Sequence, residues 1–211
     1  MLDLFLLAAI GDIATVAGTG FAGFDGDGGP ATAARLKFPS FVLEDSQGNM
    51  FIADGSNDRV RRVDAGTGTI TTVAGTGTGG FSSDTGPATS ANLTNPSGLA
   101  IDGGGNLFIA DYDNDRIRRV APGADGQVDG DPDDIITTVA GTGAFAYTGD
   151  GGPAVDTNLK APRGVWAATS GLLIADTAGH TIRKIEGEAP PLPKPCQASP
   201  SRACWRWPRC F

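Results

Sequence analysis

The sequence has few of the residues on which most catalytic and nucleic-acid-binding sites depend. Its 211 residues include one histidine and three cysteines, and aromatic residues make up 7% of the chain. Lysine and arginine number 16 against 24 aspartates and glutamates, so the formal net charge is −8. An acidic chain lacks the basic surface that attracts nucleic acid or anionic lipid. No run approaches the roughly 18 apolar residues that a membrane-spanning helix needs, and we therefore expect no nucleic-acid and no membrane partner.

Glycine, in contrast, is abundant. The chain has 32 glycines without a strict three-residue period, which excludes collagen and disfavours an all-helical fold. Apolar residues make up 40% of the chain, which is enough for a core. This composition predicts a chain that turns back on itself every few residues around a buried interior.

An internal repeat in three copies dominates the sequence. Each copy carries TVAGTG, then Gly-Pro, then a second proline, and then Ile-Ala-Asp. TVAGTG begins at Thr15, Thr72 and Thr138, and Gly-Pro begins at Gly29, Gly86 and Gly152. The second proline is Pro39, Pro96 or Pro162, and Ile-Ala-Asp begins at Ile52, Ile109 and Ile174. The second copy is longer than the first because Ala121–Asp134 contains an insertion. The predicted repeat units are 12–68, 69–134 and 135–186.

Within one copy the pattern predicts four short strands. In the second copy they are Pro96–Asp102, Asn106–Asp111, Arg116–Val120 and Ile135–Ala140. The third alternates charged and aliphatic residues, which predicts one solvated face. Four strands joined by tight turns, followed by a longer glycine-rich crossing, describe one blade of a β-propeller. The predicted fold class is therefore all-β, a β-propeller with three four-stranded blades.

The same motifs resemble NHL-repeat β-propellers, in the long-loop form of teneurin-like and bacterial NHL domains. The resembling stretches are GDGGPAT at 26–32, NLFIAD at 106–111, NDRIRRV at 114–120 and ITTVAGTG at 136–143. The resemblance covers about 12–186. It implies a non-catalytic scaffold that binds a protein or a glycan at the propeller rim, in an extracellular or cell-surface location. The alternative that it leaves open is a fragment of a propeller enzyme, of lyase or lactonase type, whose metal ligands lie in missing blades.

The number of strands poses an assembly problem. A strand of the fourth type at about Asp12–Ala17 opens the repeats, whereas the third copy shows only its first three strands. Propellers close with four to eight blades, and three blades leave end faces and strand edges open. Two expectations follow. Either two chains pair as a homodimer that completes a six-bladed ring with exchanged strands, or the sequence is a truncated piece of a longer protein.

Both ends of the chain fall outside the repeat. The lead-in at 1–11 contains a short apolar run, Leu4–Ile10, that no basic residue precedes, so we interpret it as a strand lead-in or the remnant of an upstream blade. The tail at 187–211 is rich in proline and holds Cys196, Cys204 and Cys210. We expect it to be disordered or out of frame, and a linker with a cysteine-tethered anchor is the alternative.

A residue present in every copy most simply serves the blade, and on this test most charged residues are structural. The carboxylates that end each second strand are expected to accept backbone N–H bonds in the following turn. The basic pairs of the third strands are expected to form solvated rows, and the carboxylates before each Gly-Pro are expected to shape turns. In order, these are Asp54, Asp111 and Asp176; Arg61-Arg62, Arg118-Arg119 and Arg183-Lys184; and Asp27, Asp84 and Asp150.

Departures from the repeat are the candidate sites, and the acidic insertion is the sharpest of them. It places Asp129, Asp131 and Asp133 at positions 1, 3 and 5 of a possible calcium loop. Asp134, however, stands where such a loop needs glycine, and Ala140 stands where it needs glutamate. A solvated acidic hairpin tip is therefore favoured over a calcium site.

Two further departures lie in the third copy. His180 takes the turn position that Asp58 and Asp115 hold, and we interpret it as a consensus residue of the repeat rather than a site. Trp166 stands where the other copies have aliphatic residues, and it is expected to fill space in the core.

The remaining departures are aromatic or acidic. Phe145 and Tyr147 in the third crossing loop are candidates for an aromatic contact on one rim, although an ordinary loop role is favoured for them. Glu44 stands where Ile101 does, in a strand expected to be buried. One histidine cannot supply the three or four ligands of a zinc site, and no Ser-His-Asp arrangement recurs. The sequence therefore predicts no enzyme, no cofactor and no metal.

Overall fold

The computed structural model describes residues 12–82 and 84–186 of the chain. The predicted lead-in at 1–11 and the cysteine-containing tail at 187–211 lie outside the described residues. The described helices are 3-10 turns of three residues each, and none of them has the length or the apolar surface to cross a membrane.

The strands form three antiparallel sheets. The first sheet contains β1 (Pro39–Glu44), β2 (Met50–Asp54), β3 (Arg59–Val63) and β4 (Ile70–Ala74), in that order. The second contains β5 (Gly86–Pro87), β6 (Pro96–Ile101), β7 (Leu107–Asp111), β8 (Arg116–Ala121) and β9 (Ile135–Ala140), in the order β5-β9-β8-β7-β6. The third contains β10 (Pro162–Ala168), β11 (Gly171–Asp176) and β12 (Thr181–Glu186). The all-β class is confirmed, and three antiparallel sheets in series are consistent with the predicted propeller-like fold.

Six 3-10 turns recur at two positions of the repeat. One set follows the proline of each crossing loop, at Ala31–Ala33, Ala88–Ser90 and Ala154–Asp156. The other joins the second and third strands of each sheet, at Gly55–Asn57, Tyr112–Asn114 and Thr177–Gly179. Each of the latter turns ends on a residue with a left-handed backbone, and His180 has this conformation like its counterparts Asp58 and Asp115.

The hydrophobic core lies between neighbouring sheets. Phe51 and Val60 of the first sheet pack with Leu99 and Ile109 of the second in one buried cluster. A second cluster joins the second and third sheets in the same way. A third cluster lies on the outer face of the first sheet, where the crossing loop that precedes β1 covers it. The first and second sheets therefore each bury one face against the sheet that follows along the chain.

The arginines of the third strands are buried, and the prediction of solvated rows is wrong. Arg61 and Arg118 are both 0% exposed. Arg118 donates from Nη2 to Asp84 Oδ1 at 3.0 Å, and its Nη1 lies 3.5 Å from Asp111 Oδ2. Arg61 makes the equivalent two ion pairs in the first sheet. Burial of a guanidinium requires such partners, and these come from a crossing loop and a neighbouring strand, which a local pattern does not reveal.

An aromatic ring of each crossing loop stacks on the same arginines. The centroid of Phe81 lies 3.8 Å from Cζ of Arg116 and 4.9 Å from Cζ of Arg118. Phe24 has the same position in the first copy. Such cation–π contacts gain strength when they are shielded from water. They tie each crossing loop to the sheet that follows it.

The carboxylates at the ends of the second strands accept backbone N–H groups from upstream of them and not from the following turn. Asp111 Oδ1 accepts the N–H of Thr94 at 2.8 Å, and its Oδ2 accepts the side-chain amide of Asn114 at 2.8 Å. Asp54 and Asp176 accept a backbone N–H from the preceding crossing loop in the same manner. The structural role predicted for these residues holds, while their partners differ from the predicted ones.

The burial of Asp111 gives the fold a pH dependence. Burial raises the pKa of Asp111 from 3.8 to about 6. Between these values the folded chain holds a proton that the unfolded chain has lost, so stability falls as the pH rises through this window. We expect urea unfolding at pH 5 to give a free energy of unfolding about 1 kcal/mol higher than at pH 7 from this group.

The Asp111→Asn variant is the control for this pH effect. It cannot titrate, so its free energies of unfolding at pH 5 and pH 7 should differ by about 1 kcal/mol less than those of the wild type. The lowered pKa values of Asp25 and Asp64 affect stability below this window. An unchanged pH dependence in the variant would show that another group is responsible.

The predicted first strand at about Asp12–Ala17 is not formed, and this prediction is wrong for the described chain. The segment contains no strand residue, and Ile13 is 100% exposed. Its counterparts β4 and β9 pair with β3 and β8. A strand needs a hydrogen-bonded neighbour, and no described strand of this chain lies beside the segment.

Candidate functional site

A cleft lies between the first and second sheets. It has a volume of about 530 Å³ and opens between the β1–β2 turn and the β6–β7 turn. The loop between β8 and β9 forms its third wall through Gly126, Gln127 and Val128. Phe51 and Ile101 contribute the apolar base. This volume is in the range of ordinary small-molecule sites.

Two of the carboxylates that line the cleft are used to build its turns. Asp45 Oδ1 accepts the N–H groups of Gln47 and Asn49 at 2.8 and 2.9 Å. Asp102 has the same position in the second sheet and accepts the N–H groups of Gly104 and Asn106. Side-chain acceptance of nearby N–H groups is the usual role of aspartate in a turn. The two turns are therefore rigid walls.

Glu44 ends β1 at the rim of the cleft and is exposed. It pairs with Met50 of β2, whereas the neighbouring Leu43 pairs with Phe51. Leu43 and Phe51 pack toward the second sheet, so strand alternation places the Glu44 side chain on the opposite face, with Met50. No side-chain hydrogen bond or ion pair of Glu44 is present within the described part of the chain. Its counterpart Ile101 is partly buried because the first sheet covers it, whereas no described sheet covers Glu44.

Arg62 and Gln127 connect the first sheet to the third wall. Arg62 Nη2 lies 3.3 Å from Asp64 Oδ2 and 3.3 Å from Gln127 Oε1. The arginine side chain is 9% exposed, whereas the carboxylate of Asp64 is 34% exposed. The guanidinium and the amide thus present hydrogen-bonding groups at the base of the cleft, held in place by each other.

The acidic insertion is a folded wall of this cleft rather than a solvated tip. Asp134 is 0% exposed. Its carboxylate accepts the N–H groups of Gly123, Asp129 and Gly130 at 2.8 to 3.0 Å. Val128 is 4% exposed and packs in the core between the first two sheets. The loop is therefore organised by its own carboxylate and anchored by an apolar side chain.

The calcium spacing does not produce a ligand cluster. Asp129 Oδ1 accepts the N–H of Asp131, and Asp133 Oδ2 accepts the N–H of Ala124. Burial raises the pKa values of Asp129 and Asp134. Over 12–82 and 84–186, no three His, Cys, Asp or Glu side chains are grouped as a metal site requires. Two of the three candidate carboxylates thus serve the loop's own backbone.

The carboxylates before each Gly-Pro hold the crossing loops to their sheets. Asp84 Oδ1 accepts the hydroxyl of Thr138 at 3.0 Å in addition to its bond from Arg118. Asp27 repeats this arrangement in the first copy. Asp150 accepts from Arg183 at 2.8 Å, and its side chain is 79% exposed. These residues have the structural role that the repeat predicts.

Trp166 does not fill space in a core, and that prediction is wrong. Its side chain is 67% exposed, whereas Ala100 at the same position of the second sheet is 5% exposed. Ala100 belongs to the cluster that the third sheet covers. No described sheet covers Trp166, so its exposure follows from its place on the last sheet rather than from its chemistry.

Phe145 and Tyr147, the two aromatic residues of the third crossing loop, contact different basic side chains. Tyr147 holds the position of Phe81, and Cζ of Arg183 lies 5.2 Å from its ring centroid. Phe145 is 63% exposed, with Nζ of Lys160 4.9 Å from its ring. Neither residue lines the described cleft.

A family model and a plant protein match parts of the chain. The NHL repeat family model matches residues 93–119, which span β6, β7 and most of β8. A chloroplastic protein of Arabidopsis thaliana, suppressor of quenching 1, is 35% identical over 97 residues, covering 46% of this chain and 9% of that protein. These matches support an NHL-repeat family.

Solved bacterial structures share the fold. An auxiliary nutrient binding protein from Bacteroides ovatus has a TM-score of 0.54 at 20% identity, covering 72% of this chain and 38% of that chain. A protein of unknown function from Bacteroides thetaiotaomicron has a TM-score of 0.53 at 23% identity, covering 65% of this chain and 32% of that chain. The chain therefore spans about a third of each structure and a tenth of the plant relative.

Proposed function

We propose that this NHL-repeat chain is a non-catalytic binding module that holds a short neutral glycan in the cleft between its first and second sheets. The observation that carries the proposal is the contact between the Arg62 guanidinium and the Gln127 amide in this cleft, where hydrogen-bond donors and an acceptor line one wall. Sugar hydroxyls both donate and accept hydrogen bonds, so they can use acceptor and donor groups side by side.

The shape and chemistry of the cleft favour a small polar ligand. Its volume of about 530 Å³ accommodates a ligand of one or two sugar rings. Gly103, Gly104 and Gly105 leave the backbone of one wall open to close approach. Arg62 is already paired with Asp64. Asp45 and Asp102 also line the cleft, so its negative charge disfavours an anionic ligand. The fold also serves binding in the Bacteroides ovatus nutrient binding protein, by its description.

The absence of a catalytic role is part of the same proposal. The carboxylates of Asp45 and Asp102 are occupied by turn N–H groups, and the Glu44 side chain lies on the other face of its strand. No free pair of carboxylates among the described residues therefore faces the cleft. General acid–base hydrolysis of a glycosidic bond uses a pair of carboxyl groups. The cleft is therefore suited to hold a glycan and not to cleave it. The teneurin-like subtype belongs to this proposal, and the long crossing loops support it. A secreted location is proposed with it, as that resemblance implies.

Isothermal titration with maltose, cellobiose and lactose tests the proposal. We expect at least one of these disaccharides to bind the wild type. The Gln127→Leu variant, which removes the amide from the cleft wall, should weaken that binding about 10-fold, because the hydrogen bonds between the amide and the sugar hydroxyls are lost. The Asp156→Ala variant, which removes an exposed carboxylate outside the cleft, should bind as the wild type does.

Two results would contradict the glycan proposal. One is the absence of binding by all three disaccharides. The other is binding that Gln127→Leu leaves unchanged, since the ligand would then occupy another surface. A lysine-containing peptide titrated in parallel shows whether the cleft prefers a cationic protein segment instead.

A further inference from the structure

The third sheet has a groove where the other two sheets have a fourth strand. The groove has a volume of about 200 Å³ and is lined by Asp150, Ile182 and Ile185. In the second sheet, β9 occupies this place, where it pairs with β8 on one side and with the crossing-loop strand β5 on the other. Among the described residues, no strand pairs with the outer edge of β12.

The exposed segment 12–17 has the sequence of that missing strand. It reads DIATVA, and it aligns with TITTVA at 69–74 and IITTVA at 135–140. Ile70 and Ile136 are both 0% exposed in their sheets, whereas Ile13 at the same position is 100% exposed. The backbone that follows is already in place, because Gly18 donates to Ala31 O at 2.9 Å as Gly75 does to Ala88 O at 3.0 Å.

The apolar side chains of β12 are exposed for the same reason. Ile182 is 73% exposed, while its counterparts Val60 and Ile117 are 0% exposed between two sheets. On the opposite end of the chain, Val42 is 56% exposed, while its counterpart Leu99 is 2% exposed. The exposed face of the third sheet and the exposed face of the first sheet therefore correspond to the two surfaces that pack together between neighbouring sheets. The chain makes this sheet–sheet contact twice.

Each junction between sheets also contains a hydrogen bond from a backbone N–H of one copy to a turn carboxylate of the copy before it. Asp58 Oδ1 accepts the N–H of Asn95 at 2.8 Å, and Asp115 Oδ1 accepts the N–H of Ala161 at 2.8 Å. On the third sheet, His180 stands where the other copies have the accepting aspartate. Before the first sheet, Phe38 stands where the other copies have the donating residue. Both have the left-handed backbone of their counterparts, with φ of 56° and 48°.

We propose that a second copy of this chain occupies the groove with its residues 12–17, and that two chains thereby close one ring. Each copy gives its segment to β12 of the other, so the same contact forms twice and leaves no open end. The register of the second sheet places Ile13 beside Ile185 and Thr15 beside Arg183. The Thr15 hydroxyl then meets Asp150, as Thr138 meets Asp84.

Static light scattering of the full chain in reducing buffer tests this pairing, since a reductant excludes links through the tail cysteines. The wild type should have twice the 21.4 kDa mass of one chain. Ile13→Asp and Ile182→Asp should each raise the dissociation constant of the pair about 100-fold or more, because each places a carboxylate where an apolar side chain is buried. Both residues are exposed in the single chain, so each variant should still fold, as circular dichroism can verify.

Phe21→Asp is the matched control. Phe21 is 76% exposed, and its counterparts Thr78 and Ala144 are exposed even beside two sheets, so this variant should keep the mass of two chains. A wild type with the mass of one chain overturns the proposal, and so does a larger assembly. Equal masses for wild type and Ile13→Asp overturn it as well. The glycan cleft lies within one chain, so disaccharide binding by Ile182→Asp reports separately on the proposed function.

Discussion

Replacing Asp111 by alanine is expected to lower the free energy of unfolding by about 3–5 kcal/mol. The reason is that Arg118 stays buried when its partner is removed. Its Nε and Nη1 have no hydrogen-bond acceptor, and Nη1 relies on the ion pair with Asp111. The N–H of Thr94 and the amide of Asn114 lose their acceptor at the same time. Urea unfolding at pH 7 measures the change.

The neighbouring Asp113→Ala variant is the control for this experiment. Asp113 is exposed and accepts one bond, from the side chain of Asn95 at 3.2 Å, so its loss should change stability by about 0.5 kcal/mol or less. The double variant Asp111→Ala/Arg118→Met should recover part of the loss, because an apolar replacement of a buried ion pair is often tolerated. Equal stabilities for the two single aspartate variants would contradict the buried ion pair.

Replacing Gly141 by alanine is expected to cost about 2–4 kcal/mol. Gly141 has φ of 92°, a conformation that favours glycine. A Cβ at this position would overlap the carbonyl oxygen of Asp115, which closes the turn between β7 and β8. The strain and the overlap add, because the alanine can relieve neither without moving β9 away from β8. Thermal or urea unfolding measures the loss.

Gly149→Ala is the control for the glycine effect. Gly149 lies in the same crossing loop, its φ is not positive, and nothing lies within 4 Å of a Cβ built on it. We expect no measurable loss of stability in this variant. A similar cost at both positions would mean that the loop, and not the close approach at Gly141, determines the effect.

The strands could be predicted closely from the sequence because the repeat shows the pattern of each strand in several copies. The predicted fourth strand Ile135–Ala140 is β9 residue for residue, and the predicted third strand Arg116–Val120 differs from β8 by one residue at its end. β-branched residues and turn glycines recur at the same positions in each copy, so local preferences agree with the fold.

The environment of the charged residues could not be predicted in the same way. The alternation of charge in Arg116–Val120 indicates a solvated face, yet Arg118 is fully buried. Its partner Asp84 and the ring of Phe81 come from the crossing loop, far away in sequence. A pattern within one strand carries no information about such distant partners.

The sequence indicated the candidate cleft only through residues that differ between copies of the repeat. Glu44 stands out against Ile101, and the insertion stands out by its length. That the two features meet in one cleft depends on how the first two sheets pack. Neither Arg62 nor Gln127 could be identified from the sequence. Arginine recurs at the position of Arg62 in the second copy, and a single glutamine in a loop does not indicate a binding site.

Amide hydrogen exchange of residues 12–17, followed by mass spectrometry of the full chain, tests most directly whether the repeat continues from one chain into a second. These residues form no strand within one chain, so protection of their amides requires another strand beside them. The account predicts exchange about 100-fold slower in the wild type than in Ile182→Asp at the same concentration. Equally fast exchange in both proteins would contradict it.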